Sequence, residues 1–159
     1  KPIFLMLMVS VLFSCCKKEG EKPYVPIQLC ADISRDVDTI NKYIHGTWKW
    51  AEGKYFNYQT GEYFYETPQT RGYIITLKLS GDTAKFYKNS TADSTYRFKI
   101  LKESDVTGWP DDQAPVIAYY RFATGVRESY FRIKICEKYL VTEQSYSSDL
   151  GGDSIWERF

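Results

Sequence analysis

Of the residue types that most often act as nucleophiles, general bases or transition-metal ligands, this 159-residue chain has four cysteines and one histidine. His45 stands between a helical pattern and Gly46, with no nucleophile elbow and no HExxH around it. Its expected place is a solvent-facing helix end, where a cation favours the C-terminal dipole. Glu128, Glu143, Asp149, Asp153 and Glu157 have no spacing that implies an acid–base couple. There is no CxxC pair, Cys/His cluster or Gly-rich phosphate loop, so neither metal nor cofactor is indicated. With 21 basic and 20 acidic residues, the formal charge of +1 offers no field toward nucleic acid. The pattern points to a binding or interaction module rather than an enzyme, and its distinctive chemistry lies in the cysteines.

Ile3 to Phe13 is almost wholly apolar, broken only by Ser10, and lies between Lys1 and Ser14-Cys15-Cys16-Lys17. It is too short for the ~20 residues of a membrane-spanning helix. It has the form of the hydrophobic part of a secretory signal. Leu12-Phe13-Ser14-Cys15 resembles a lipobox, in which an aliphatic residue and two mostly small ones precede the cysteine to be acylated. Cys16 fits less well, because Phe13 would then take the aliphatic position. Residues 1–14 are thus expected to be a signal peptide, 15–29 a lipidated cysteine with a flexible, charged tether, and 30–159 the domain. Loss of residues 1–14 removes one lysine and leaves 20 basic and 20 acidic residues. Acyl chains alone would then hold the membrane, at about 0.8 kcal/mol per buried CH₂. The expected location is the cell envelope, as an outer-membrane lipoprotein facing the periplasm or the outside.

Outside the cytoplasm, two distant cysteines more often form a disulfide than remain thiols. In Ser129 to Cys136, the side chains of Phe131, Ile133 and Ile135 share one face, which puts Cys136 on the opposite, polar face. Cys30 precedes a helical pattern and can lie across that outer face. A Cys30–Cys136 bridge is favoured over two free thiols.

The elements that position these residues follow from periodicity. Ile33, Val37, Ile40 and Ile44 recur at helical spacing, with Asp32 or Ser34 as N-cap candidates. Alternating patterns then predict eight strands in meander order: 47–56, 72–79, 83–88, 96–100, 116–122, 129–136, 139–144 and 154–159. Aromatic residues, 17% of the chain, suit such half-buried strands. Eight antiparallel strands of this length have to close or form a sandwich to cover their edges. We expect an all-β, eight-stranded, antiparallel up-and-down barrel with one short N-terminal helix; a β-sandwich is the alternative.

The region from Asp32 to Phe159 resembles the lipocalin-like lipoproteins of Bacteroidetes. The helix leading into Gly46-Thr47-Trp48 is similar to the Gly-x-Trp opening of a lipocalin's first strand, and Ile155-Trp156-Glu157-Arg158-Phe159 to the end of its last. The resemblance implies that Arg158 lies over Trp48 and seals the closed end of the barrel. It also implies an open mouth at the end holding the connections 57–70, 89–93, 123–127 and 145–152. Tyr58, Tyr63, Phe64, Tyr65 and Tyr146 fall there and are the candidate ligand-binding residues. Trp109 falls at the opposite end and is expected to anchor its loop.

Two functions fit. A cavity at the mouth would take a small apolar or amphiphilic molecule; a solidly packed barrel would leave the Tyr-rich loop to bind a glycan or a surface protein. Labelling with a radioactive fatty acid should mark the wild-type chain and leave Cys15→Ser unmarked. Label retained by Cys15→Ser and lost from Cys16→Ser would move the acylation site by one residue.

Overall fold

The computed structural model describes residues 24–144 and 152–159. Cys15, Cys16, Tyr146 and Asp149 lie outside them. The elements are α1 (Val37–Tyr43), β1 (Gly46–Asn57), β2 (Glu62–Glu66), α2 (Pro68–Arg71), β3 (Ile75–Ser80), β4 (Thr83–Lys88), β5 (Thr91–Lys102), α3 (Ser104–Thr107), β6 (Pro115–Arg121), β7 (Arg127–Ile135), β8 (Tyr139–Gln144) and β9 (Asp153–Arg158). From β3 to β9 each strand pairs antiparallel with the next, and β1 pairs with both β3 and β9. The result is a closed barrel of eight strands, as the alternating pattern predicts.

Three details differ from the sequence expectation. A ninth strand, β2, hairpins onto the upper half of β1, where Gly53–Asn57 meet Glu62–Glu66. Two further one-turn helices, α2 and α3, sit in connections that carry no sustained apolar period. The N-cap of α1 is Asp36, whose carboxylate accepts the Thr39 backbone N–H at 2.8 Å. Neither Asp32 nor Ser34 caps the helix. Ser34 is extended and exchanges two backbone hydrogen bonds of 2.8 Å with Ile135, which holds the arm against β7. The backbone and side-chain hydrogen bonds from Thr39 keep the Asp36 carboxyl below its ordinary range.

The closed end is built around Trp48, which is wholly buried. Its indole N–H donates to the Ile44 carbonyl at 2.9 Å, and Ile40 of α1 and the helix C-cap Ile44 pack beside it in the core. Arg158 lies over the indole at 4.3 Å. Its guanidinium donates to the carbonyls of Glu137 (2.8 Å), His45 (3.1 Å) and Tyr43. One cation therefore satisfies carbonyls left open where α1 ends and ties them to the β7–β8 turn. Gly46 permits this approach: its φ is 145°, and a Cβ there would stand 2.9 Å from Arg158 Nη1. His45 itself is exposed.

Cys30 and Cys136 form a disulfide across 106 residues of sequence. Cys136 is on the outer face, as its register implies, yet only 2% exposed, because the N-terminal arm covers it. Two ion pairs support the arm's course: Glu143 on β8 holds Arg35 of the arm and Lys134 of β7, the latter at 2.7 Å. Farther back, Tyr24 and the Ile27 backbone N–H both donate to Glu52, a carboxylate only 3% exposed. Tyr24 and Ile27 belong to the stretch 15–29.

Arg158→Met keeps an apolar stem but removes the guanidinium and its donors. It should lower unfolding stability in urea by about 2–3 kcal/mol, the scale of charged hydrogen bonds plus a cation–π contact. Burial pushes the Glu143 carboxyl up, but hydrogen bonds and charge from Lys134 and Arg35 outweigh it, so the group lies below its ordinary range. Its stabilisation is complete above the unfolded glutamate value and is lost as pH falls through the lower folded one. Glu143→Gln should therefore flatten the acid limb of a stability–pH curve; an unchanged limb would show that the pairs do not couple to folding.

Candidate binding site at the open end of the barrel

The inward positions of several strands change character along the barrel axis. On β7 they run Ser129, Phe131, Ile133, Ile135; on β9, Ser154, Trp156, Arg158; on β4, Lys88, Phe86, Ala84. Polar residues stand at the mouth and aromatic ones in the middle; near the closed end stand small or aliphatic residues on β7 and β4 and the sealing Arg158 on β9. Leu77, Ile117, Ile133, Ile135 and Leu140 are completely buried and fill the lower barrel.

Above that floor lies a cavity of about 490 Å³. Phe86 is at the centre of its aromatic layer, with ring centroids 5.6 Å from Tyr119, 6.0 Å from Tyr96 and 6.4 Å from Trp156. Tyr119 also meets Phe131 at 6.2 Å. The edge-to-face contacts within this layer let the rings brace each other without stacking face to face across the lumen. Ser94, Ser129, Ser154, Lys88 and Asp93 line the upper part, and both charged residues are exposed. The Trp156 indole N–H donates to Thr142 Oγ1 at 3.1 Å, and Thr142 lines the same cavity. Burial raises the Tyr119 phenol well above its ordinary value, so it stays protonated.

The shape of the mouth depends on β1. Its pairing with β9 slips between Trp50 and Glu52, so Trp48 and Trp50 face the core whereas Glu52 faces out under the arm. Past this bulge the strand leaves β3 and takes β2 as its partner. Gly53 lies beneath the Tyr55 ring, where an added Cβ would come within 2.6 Å.

Of the five candidate residues named from sequence, the four among the described residues lie outside the lining of this cavity. Tyr58, Tyr63, Phe64 and Tyr65 belong to the β1–β2 hairpin, and none lines the cavity. Tyr63 packs on Phe56 at 5.0 Å, Tyr65 meets Tyr24 at 5.0 Å, and Phe64 stacks on Tyr55 at 5.4 Å. Tyr58 is 82% exposed and Tyr63 61%. Trp109, expected to anchor its loop, is 71% exposed. Phe86, Tyr96, Tyr119, Thr142 and Trp156 are cavity residues that a search for clustered loop aromatics does not find. Their signal is inward register on separate strands.

Asp32 lies beside Cys30 and Cys136, a grouping that could hold a metal, but the two sulfurs are bonded to each other and are not thiolates. The buried Glu103 carboxylate pairs with Arg132 and supports the loop of α3. Fold and site together define a closed antiparallel barrel with one sealed end and one open, aromatic-lined end. No family model, curated protein or solved structure matches the chain.

Proposed function

We propose that the protein is a lipid-anchored binding protein of the cell envelope that takes a small apolar or amphiphilic molecule into the open end of its barrel. The observation that carries this reading is the aromatic-walled cavity of about 490 Å³, which exceeds the ~300 Å³ lower bound of typical small-molecule sites. Apolar rings below a polar rim suit an occupant with both characters. Among the described residues, the lining holds no histidine or cysteine and one carboxylate, Asp93, a donor set suited to binding more than to acid–base chemistry. The lipobox-like Leu12-Phe13-Ser14-Cys15 supports acylation at Cys15 and an outer-membrane location. The pairing of Arg158 with Trp48 is consistent with the resemblance to lipocalin-like lipoproteins of Bacteroidetes.

The exposed Phe56–Tyr58–Tyr63 cluster favours a second reading, a hairpin that contacts a glycan or a surface protein. The two are separated by titrating phenylnaphthylamine, an apolar dye that brightens in dry sites, into the chain from Lys17 to Phe159. Saturation at one dye per chain is expected. Ser129→Trp, which places a bulky ring in the mouth, should weaken binding at least tenfold, by about 1.4 kcal/mol or more. Tyr58→Ala and Tyr63→Ala should leave it unchanged. The reverse pattern would move the site to the hairpin.

A further inference from the structure

Followed backward from the disulfide, the N-terminal arm climbs the outer wall from the sealed end to the open half of the barrel. Cys30 is bonded to Cys136 beside the β7–β8 turn, the Ile27 N–H reaches Glu52 in the middle of β1, and the Tyr24 ring lies 5.0 Å from Tyr65 of β2. Tyr65 pairs with Lys54, past the point where β1 leaves β3. Residues 16–23 separate Cys15 from Tyr24, which gives an acylated cysteine a reach of about 30 Å at full extension. The anchor is therefore tethered beside the β1–β2 hairpin. The sealed end reaches the same bilayer only if the tether doubles back along the wall the arm has climbed.

The open end also carries a connected apolar surface. Phe56, Tyr58 and Tyr63 are exposed, and the Phe56 centroid is 5.0 Å from each of the other two rings. Around the same rim, Ile74 ahead of β3 and Phe122 and Val126 in the β6–β7 turn are exposed as well. Among the described residues, the sealed end exposes Val37, Trp109 and Phe159, and the Lys49 ammonium covers the Phe159 ring at 3.2 Å. Exposed apolar groups in mutual contact mark an interaction surface. Tyrosine suits the boundary between headgroups and acyl chains, where the ring is in hydrocarbon and the hydroxyl stays wet. Lys54, with its ammonium 4.2 Å from the Tyr63 centroid, has a stem long enough to return its charge to the headgroups. Charge itself is balanced here: Lys54 and Arg71 offset Glu62 and Glu66. The hairpin thus offers a bilayer its rings, not a field toward anionic lipid.

We infer that the open end of the barrel docks on the lipid bilayer that holds the Cys15 anchor, an inference that rests on the lipid-anchored binding function proposed above. The hairpin rings enter the boundary region, and the mouth opens onto the membrane instead of onto water. Lys88, Asp93, Ser129 and Ser154, which line the upper cavity, then stand at the level of the headgroups. An amphiphile passes between bilayer and aromatic layer without exposing its apolar part to bulk water.

The test places the acylated mature chain in vesicles of phosphatidylethanolamine and phosphatidylglycerol, with fewer chains than vesicles so that no second copy covers the surface. Hydroxyl-radical labelling and peptide mapping read side-chain exposure, with the chain from Lys17 to Phe159 in buffer as reference. Labelling of Tyr58 and Tyr63 should fall about fivefold or more in vesicles, since rings at the boundary are out of contact with water. Trp109, at the sealed end, should label as it does in buffer. Tyr58→Asp combined with Tyr63→Asp, at two exposed positions outside the cavity lining, should return Phe122 to its labelling in buffer. Phe122 that stays protected in that variant contradicts docking through the hairpin. Equal labelling of the two ends in vesicles, or protection of Trp109 in place of the hairpin, overturns the docking and leaves the rings to a glycan or a surface protein, with anchor and cavity untouched. A mature chain that carries no acyl group takes anchor and docking down together.

Discussion

Closure of the ring through β1 is the constraint on which the rest depends. The strand is shared: its edges pair with β9 and β3 near the sealed end, and beyond Gly53 it gives β3 up for β2. Closed ladders leave no free edge on the barrel wall and remove a common route to aggregation. They also fix the lumen, since strand number and stagger set its width before any side chain is placed. The bulge after Trp50 lets one strand serve both ends: Trp48 and Trp50 fill the core, and Glu52 turns outward to hold the arm.

The two ends use aromatic residues differently. At the sealed end, Trp48 is held by one hydrogen bond, a guanidinium and two isoleucines, one in the seven-residue helix α1 and one at its C-cap. A helix that short has little stability of its own, so packing, the Asp36 cap and the Arg158 bonds must fix it. At the open end, Phe86, Tyr96, Tyr119, Phe131 and Trp156 brace one another around a space they do not fill. The disulfide and the Glu143 pairs fasten the arm to the outer wall and leave the lumen to the barrel strands.

Much of this architecture was legible because period-2 alternation is a local signal. The eight barrel strands and the outer face of Cys136 follow from alternation, and the Arg158–Trp48 contact is what the resemblance of the two terminal motifs to those of lipocalins implies. The cap of α1 was not legible: Ser34 has the right chemistry, but its pairing with Ile135 is a long-range contact. The cavity was harder still. Inward Trp, Phe and Ile residues can fill a barrel or line one, and only the lumen's width decides, a property of how all eight strands stagger. Tyr58, Tyr63, Phe64 and Tyr65 drew notice because they are close in sequence. The rings that line the lumen are spread over separate strands, so no short stretch of sequence displays them.

Native mass spectrometry of the chain from Lys17 to Phe159, purified without detergent, tests the central claim most directly. A closed barrel with an open, aromatic-walled cavity should retain one small molecule per chain, released as a single defined mass on activation. A spectrum of the bare chain alone, with the Cys30–Cys136 bridge intact, would contradict the account.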